Sequence, residues 1–106
     1  MNNKEEYFKI KFVFSKTGLM RYVSHLDVMR IFMRAARRAG FALYITKGFN
    51  PRVKLSFKRA LKLGVESMDE EAEIALTKKM NPKIFKYRFN KQLQDGLRIR
   101  EAVLIS

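Results

Sequence analysis

Residues Tyr7–Ser15 alternate by type: Phe8, Ile10, Phe12 and Phe14 fall on one side, Lys9, Lys11 and Val13 on the other. Period-two alternation is the pattern of a strand with one buried face. Four bulky apolar groups in a row need a layer to cover them, so this segment calls for helices packed on a sheet. The next periodic segment supplies one. From Ser24 to Gly40, Leu26, Met29, Phe32, Met33, Ala36 and Ala39 recur at three- and four-residue spacing, which predicts a helix over about Ser24–Ala39 with those residues on its buried face. Ser24 and Asp27 form a capping-box-like start, and Gly40 supplies the stop because a residue without Cβ accepts the left-handed conformation. Arg30, Arg34, Arg37 and Arg38 fall on the opposite face.

Lys16-Thr17-Gly18 marks a turn and Leu19–Val23 a short apolar approach to the helix. Phe41–Thr46 reads as a second strand, with Phe41, Leu43 and Ile45 on one face, and Val53, Leu55 and Phe57 as a short further strand. Glu71–Thr77 alternates with Ala72, Ile74 and Leu76 inward. Asn81-Pro82 joins an N-cap side chain to a proline at the first helical position. An apolar stripe of Ile84, Phe85, Phe89 and Leu93 follows, ending at Asp95-Gly96, and Leu97–Ile105 is the last strand. The order predicts an α+β, ferredoxin-like βαββαβ sandwich, an antiparallel sheet with two helices on one face. Its first and third strands are neighbours, so Lys9 and Lys11 are expected to face Glu71 and Glu73 across the open side. That open face lacks the stacking aromatics of an RNA-recognition motif, which moves any nucleic-acid site to the first helix and the 47–62 loops.

At 106 residues the chain reads as a single domain, residues 1–106, with an ordinary apolar content and no internal repeat. The net charge of +13 is unevenly spread. Residues 16–64 hold twelve Lys or Arg against the single acid Asp27, while residues 1–15 and 65–106 each carry a net of only +1. A patch of that kind draws polyanions. The chain has no cysteine, which excludes disulfides, thiolate zinc, cysteine nucleophiles and cysteine-held iron–sulfur clusters, and fits a cytoplasmic protein. The opening MNNKEEYFKI lacks the apolar run of a signal peptide, and no stretch approaches the ~20 apolar residues of a membrane span.

His25 is the sole histidine and lies beside the arginine field. It could act as general acid or base in RNA cleavage, or pack at the helix start and bond a nearby carbonyl. No second catalytic group accompanies it, and no spacing joins it to carboxylates as a metal site. In Lys47-Gly48-Phe49-Asn50-Pro51-Arg52, Gly48 can take positive φ and Pro51 restrains Asn50 to extended geometry. This loop either aims backbone N–H groups and the Asn50 amide at a ligand or is an ordinary connection whose Asn caps its own backbone. Phe49 either stacks on a base or covers the core. The helix arginines can meet phosphates bidentately, although a C-terminal helix dipole would also favour Arg37 and Arg38.

The blocks FSKTG, RYVSHLDVMR, RRAG, KGFNPR, LSF and LGVES, in this order, resemble the bacterial radical-SAM-linked domain of unknown function, from about Tyr7 to the end of the chain. The resemblance implies a small α/β domain that accompanies, or is fused behind, a radical SAM protein. Where the family continues GFNP with His-Pro-Arg, this chain has Arg52, Val53 and Lys54, and its approach to GVES is Arg59-Ala60-Leu61-Lys62-Leu63 rather than proline-rich. The family domain extends further, which implies a short version or a first half. The expected function is a non-catalytic accessory module, with no cofactor of its own, that grips RNA or another polyanion. Arg30, Arg34, Arg37, Arg38, Lys47, Arg52, Lys54, Lys58 and Arg59 would contact phosphates, and Gly48, Phe49, Asn50 and Pro51 would shape the loop. A ferredoxin-like endoribonuclease using His25 and a basic protein-interaction module are the alternatives.

Overall fold

The alternation at the start of the chain becomes strand β1 (Phe8–Lys16), with Ile10, Phe12 and Phe14 fully buried and Phe8 half-buried. In the computed structural model, which describes residues 7–105, β1 is followed by a 3-10 turn (Gly18–Tyr22), α1 (His25–Arg38), β2 (Leu55–Phe57), β3 (Ser67–Leu76), α2 (Pro82–Gln92) and β4 (Leu97–Leu104). The reading of residues 1–6 as free of a signal sequence lies outside the described residues. The protein is α+β, with one four-stranded antiparallel sheet in the order β2-β3-β1-β4 and two helices.

Phe12 organises the core. Its ring lies 5.7 Å from Phe32 of α1 and 5.8 and 5.7 Å from Phe85 and Phe89 of α2, so both helices cover the same side of the sheet. Each buried ring of this size contributes on the order of 1.5–3 kcal/mol, and tilted or edge-on pairs add to it. On the uncovered side the lysines of β1 meet the carboxylates of β3. Lys11 stands opposite Glu73 in register but bonds diagonally to Glu71 at 3.2 Å, and Lys9 reaches Glu73 at 3.6 Å.

Both helices begin as their sequences dictate, and α1 also ends so, whereas α2 stops at Gln92, short of the expected Asp95-Gly96, with Leu93 already extended. Ser24 Oγ accepts the Asp27 N–H, and Asn81 Oδ1 accepts the Lys83 and Ile84 N–H groups at 2.8 and 3.3 Å. Gly40 has φ +77°; its N–H reaches Arg37 O and the Phe41 N–H reaches Ala36 O, a Schellman ending. The buried stripe of α1 is rotated from the expected one. Val28, Phe32, Ala35, Ala36 and Ala39 face the core, Met29 and Met33 are half-buried, and Leu26 is 53% exposed. Ile84 of α2 is likewise 51% exposed, while Phe85 and Phe89 are buried.

The expected second strand also moves. Phe41–Thr46 touches the sheet only through the isolated bridge Leu43–Leu76 and pairs with the following segment at Ile45–Val53. The edge strand is Leu55–Phe57 instead. The reason is competition for one partner: Ala75 O accepts the Tyr44 N–H while the Ala75 N–H donates to Lys54 O, so both arms of a hairpin share the edge of β3. The expected third strand starts earlier, at Ser67 rather than Glu71.

Candidate functional site

The hairpin that crowds the edge of β3 carries the basic loop at its tip. Its neck is closed by the Thr46 N–H donating to Arg52 O at 2.8 Å and the Arg52 N–H donating to Thr46 Oγ1 at 3.2 Å. Beyond that neck the chain turns through Gly48 at φ +124°, a conformation other residues rarely adopt. The Asn50 side chain makes no hydrogen bond among the described residues. Phe49 is fully exposed, so it covers none of the core.

Folding sorts the nine candidate cations into tethered and untethered groups. Arg59 is held by Glu70 through Nε and Nη2 at 3.0 and 3.1 Å. Lys58 lies 3.7 Å from Glu71, and Lys54 sits 5.6 Å from the Tyr7 ring centroid. Arg38 ties α1 to α2, donating to Gln92 Oε1 and, at 2.8 Å, to Gln92 O. Arg30 bonds Asp27 at 3.1 Å in an exposed pair, which is worth only a few tenths of a kcal/mol to about 1 kcal/mol. Arg34, Arg37, Lys47 and Arg52 are exposed, and their side chains have no hydrogen bond or ion pair among the described residues. Among these nine, the untethered charge is therefore on α1 and the 46–52 loop; Lys62, Lys78, Lys79, Lys83, Lys86 and Arg98 elsewhere likewise have no side-chain hydrogen bond or ion pair among the described residues.

Between α1 and the edge of the sheet runs an open groove of about 440 Å³. Leu26, Met29 and Met33 form its helical wall, and Val53 and Leu55 line the opposite side. Arg52 and Lys54 also line it, together with Lys9 and Glu73, which pair with each other at 3.6 Å. Helical spacing places Arg30 and Arg37 one turn from Leu26 and Met33, beside the apolar wall. Leu26, left exposed by the rotation of α1, lines this groove.

His25 is engaged inside the protein. Its Nδ1 accepts the Leu61 N–H at 3.0 Å and its ring packs edge-on to Phe57 at 5.2 Å. An accepting Nδ1 places the proton of the neutral ring on Nε2. Beside it lies a buried polar centre that apolar patterning did not reveal. The ammonium of Lys16, 1% exposed, donates to Val23 O at 2.8 Å and Lys62 O at 3.5 Å, and the Glu70 carboxylate is buried next to it. Burial holds the Lys16 amine below the usual lysine range, with the Glu70 charge opposing. Burial would raise Glu70, but hydrogen bonds from Arg59 and Ser67 and the charges of Arg59 and Lys16 outweigh it and hold the carboxyl below its ordinary value. Gly18 N donates to Glu66 Oε2 at 2.7 Å and Gly64 N to Arg21 O at 2.6 Å, so the FSKTG, SHLD and LGVES blocks meet at this end of the sheet. The signal for Lys16 and Glu70 was parity. Lys16 continues the inward series Ile10, Phe12, Phe14, and Glu70 precedes Ala72, Ile74, Leu76; each lies one residue outside the strand limits that apolar character alone suggests.

Among the described residues no three His, Cys, Asp or Glu side chains gather as a metal site, and no helix is long and apolar enough to cross a membrane. Residues 9–106 match the model of a family described as an uncharacterized protein conserved in bacteria (DUF2344). No curated protein and no solved structure matches the chain.

Proposed function

The chain belongs to this family of uncharacterized bacterial proteins, and from its distribution of charge we propose that it is a non-catalytic accessory module that grips an anionic substrate, RNA foremost, through α1 and the 46–52 loop. One observation carries the reading: Arg34, Arg37, Lys47 and Arg52 have no side-chain partner among the described residues, whereas the β3 carboxylates neutralise Lys58 and Arg59. We read the element order as the split βαβ arrangement of a ferredoxin-like sandwich, a reading supported by the antiparallel sheet with a helix after each of β1 and β3. In this proposal the module works beside a radical SAM enzyme. The resemblance of its sequence blocks supports that partnership, and with no cysteine in the chain a cysteine-held cluster would belong to the partner. The Leu61 N–H donates to the Nδ1 of His25, which leaves Nε2 as the one ring nitrogen that a cleavage reaction could use.

The test is fluorescence anisotropy of RNA and heparin across a salt series, comparing the wild type with Arg34→Glu/Arg37→Glu. Both residues are exposed, so the fold should tolerate the change. Every phosphate that is no longer neutralised should lower the magnitude of the log–log salt slope by about 0.7–0.9. An unchanged slope, or uniformly weak binding to both polyanions, would refute the proposal and point to an acidic protein partner.

A further inference from the structure

The groove between α1 and the edge strand combines two properties that a generic polyanion does not need together, an apolar wall and a net cationic lining, Arg52 and Lys54 beside the mutually paired Lys9 and Glu73. Leu26 is more than half exposed there, and Met29 and Met33 extend the same strip. Duplexes present phosphates and 2′-hydroxyls but keep their base faces stacked inside. A single strand offers both a charged backbone and free base faces. The loop adds to this match: Phe49, with its whole ring in solvent, stands between Lys47 and Arg52, an aromatic between two untethered cations.

We infer that the groove and Phe49 together take single-stranded nucleic acid, with unpaired bases against Leu26, Met33 and the Phe49 ring and the backbone along Arg37 and Arg52. The inference rests on the anion-gripping reading and narrows it to a substrate class. Methionine suits the task because its flexible, polarizable side chain adapts to flat faces of different shape. Recognition of this kind tolerates changes of sequence, since every base has a π-face. Discrimination is therefore expected between unpaired and paired strands rather than among sequences.

Binding of a short oligouridylate, the same length of RNA duplex, and heparin to the full chain tests it. The wild type is compared with Phe49→Ala and Leu26→Ser/Met33→Ser. These substitutions leave the net charge unchanged and alter exposed or half-buried side chains; matched thermal melts confirm that the variants are folded. Expected is preference for oligouridylate over duplex, with Phe49→Ala weakening oligouridylate by about fivefold or more and heparin unaffected by either variant. Equal affinity for duplex and single strand, or equal losses for heparin and oligouridylate, would overturn the inference while leaving the anion reading in place. Oligouridylate binding untouched by both variants would overturn it as well. Failure of Arg34→Glu/Arg37→Glu to weaken any of the polyanions would instead remove the reading beneath it.

Discussion

His25 illustrates how a chemically suggestive residue can be absorbed by the fold. Its Nδ1 satisfies the backbone N–H of Leu61, a buried residue in a segment without regular structure, so the ring substitutes for a secondary-structure partner. Removing the acceptor leaves that donor unpaired, at a cost of about 1–3 kcal/mol. His25→Ala is therefore expected to lower stability by that amount in urea denaturation, while anion binding of the folded protein stays at the wild-type level. Unchanged stability with lost RNA processing would revive a catalytic role. Glu70 makes a different prediction, because burial, which would raise its folded-state pKa, is outweighed by Arg59, Ser67 and Lys16, which depress it. A carboxyl with a depressed folded pKa contributes stability that is present above its unfolded pKa and is lost as pH falls through the folded value. Glu70→Gln should destabilise the protein at pH 7 by about 2 kcal/mol, less than a fully buried pair because the Arg59 side chain is mostly exposed. The gap between wild type and variant should hold down to about pH 5 and shrink below about pH 4.5. A gap independent of pH would show that Glu70 contributes through packing alone.

At the scale of elements, the local signals that proved most informative were those in which one residue type has one physical use. Ser24, Gly40 and Asn81-Pro82 bound their helices because a side-chain acceptor, a positive φ and a missing N–H suit only a helix end. The Phe12 stripe marked the covered face for the same reason. What could not be read locally was competition. Phe41–Thr46 has the alternation of a strand, but the edge of β3 is shared with the arm that follows the loop, and only tertiary pairing decides between them. The helical stripe was similarly ambiguous, since Leu26 and Val28 are equally apolar and differ only in how α1 is rolled onto the sheet. That roll leaves Leu26 lining the groove instead of the core, so the basic part of the candidate site was legible and its apolar wall was not. Lys16 and Glu70 escaped because a charged residue ends an apolar pattern on the page even where backbone parity continues it inward.

At the scale of the molecule, the net charge of +13 divides into charge held by the fold and charge available to a partner. β3 is the divider: Glu70, Glu71 and Glu73 meet Arg59, Lys58, Lys11 and Lys9, all drawn from elements that pack beside it. Arg34, Arg37, Lys47 and Arg52 form no ion pair with those carboxylates among the described residues, and in α1 only Asp27 offers a countercharge. Two double variants that remove the same formal charge should therefore behave differently. Lys47→Gln/Arg52→Gln removes untethered cations and should lower the magnitude of the salt slope for RNA by about 1.4–1.8 if both meet phosphates. It should leave stability within about 0.5 kcal/mol of wild type, as for surface substitutions away from special features. Lys58→Gln/Arg59→Gln releases Glu70 and Glu71 from their partners, so its main effect should be on stability, with a smaller change of slope. Salt-dependent anisotropy and urea denaturation on the same four proteins, wild type, both double variants and Arg34→Glu/Arg37→Glu, make the comparison. If the two glutamine pairs reduce the slope equally, binding follows net charge alone, and the sorting of cations by β3 has no bearing on what this protein grips.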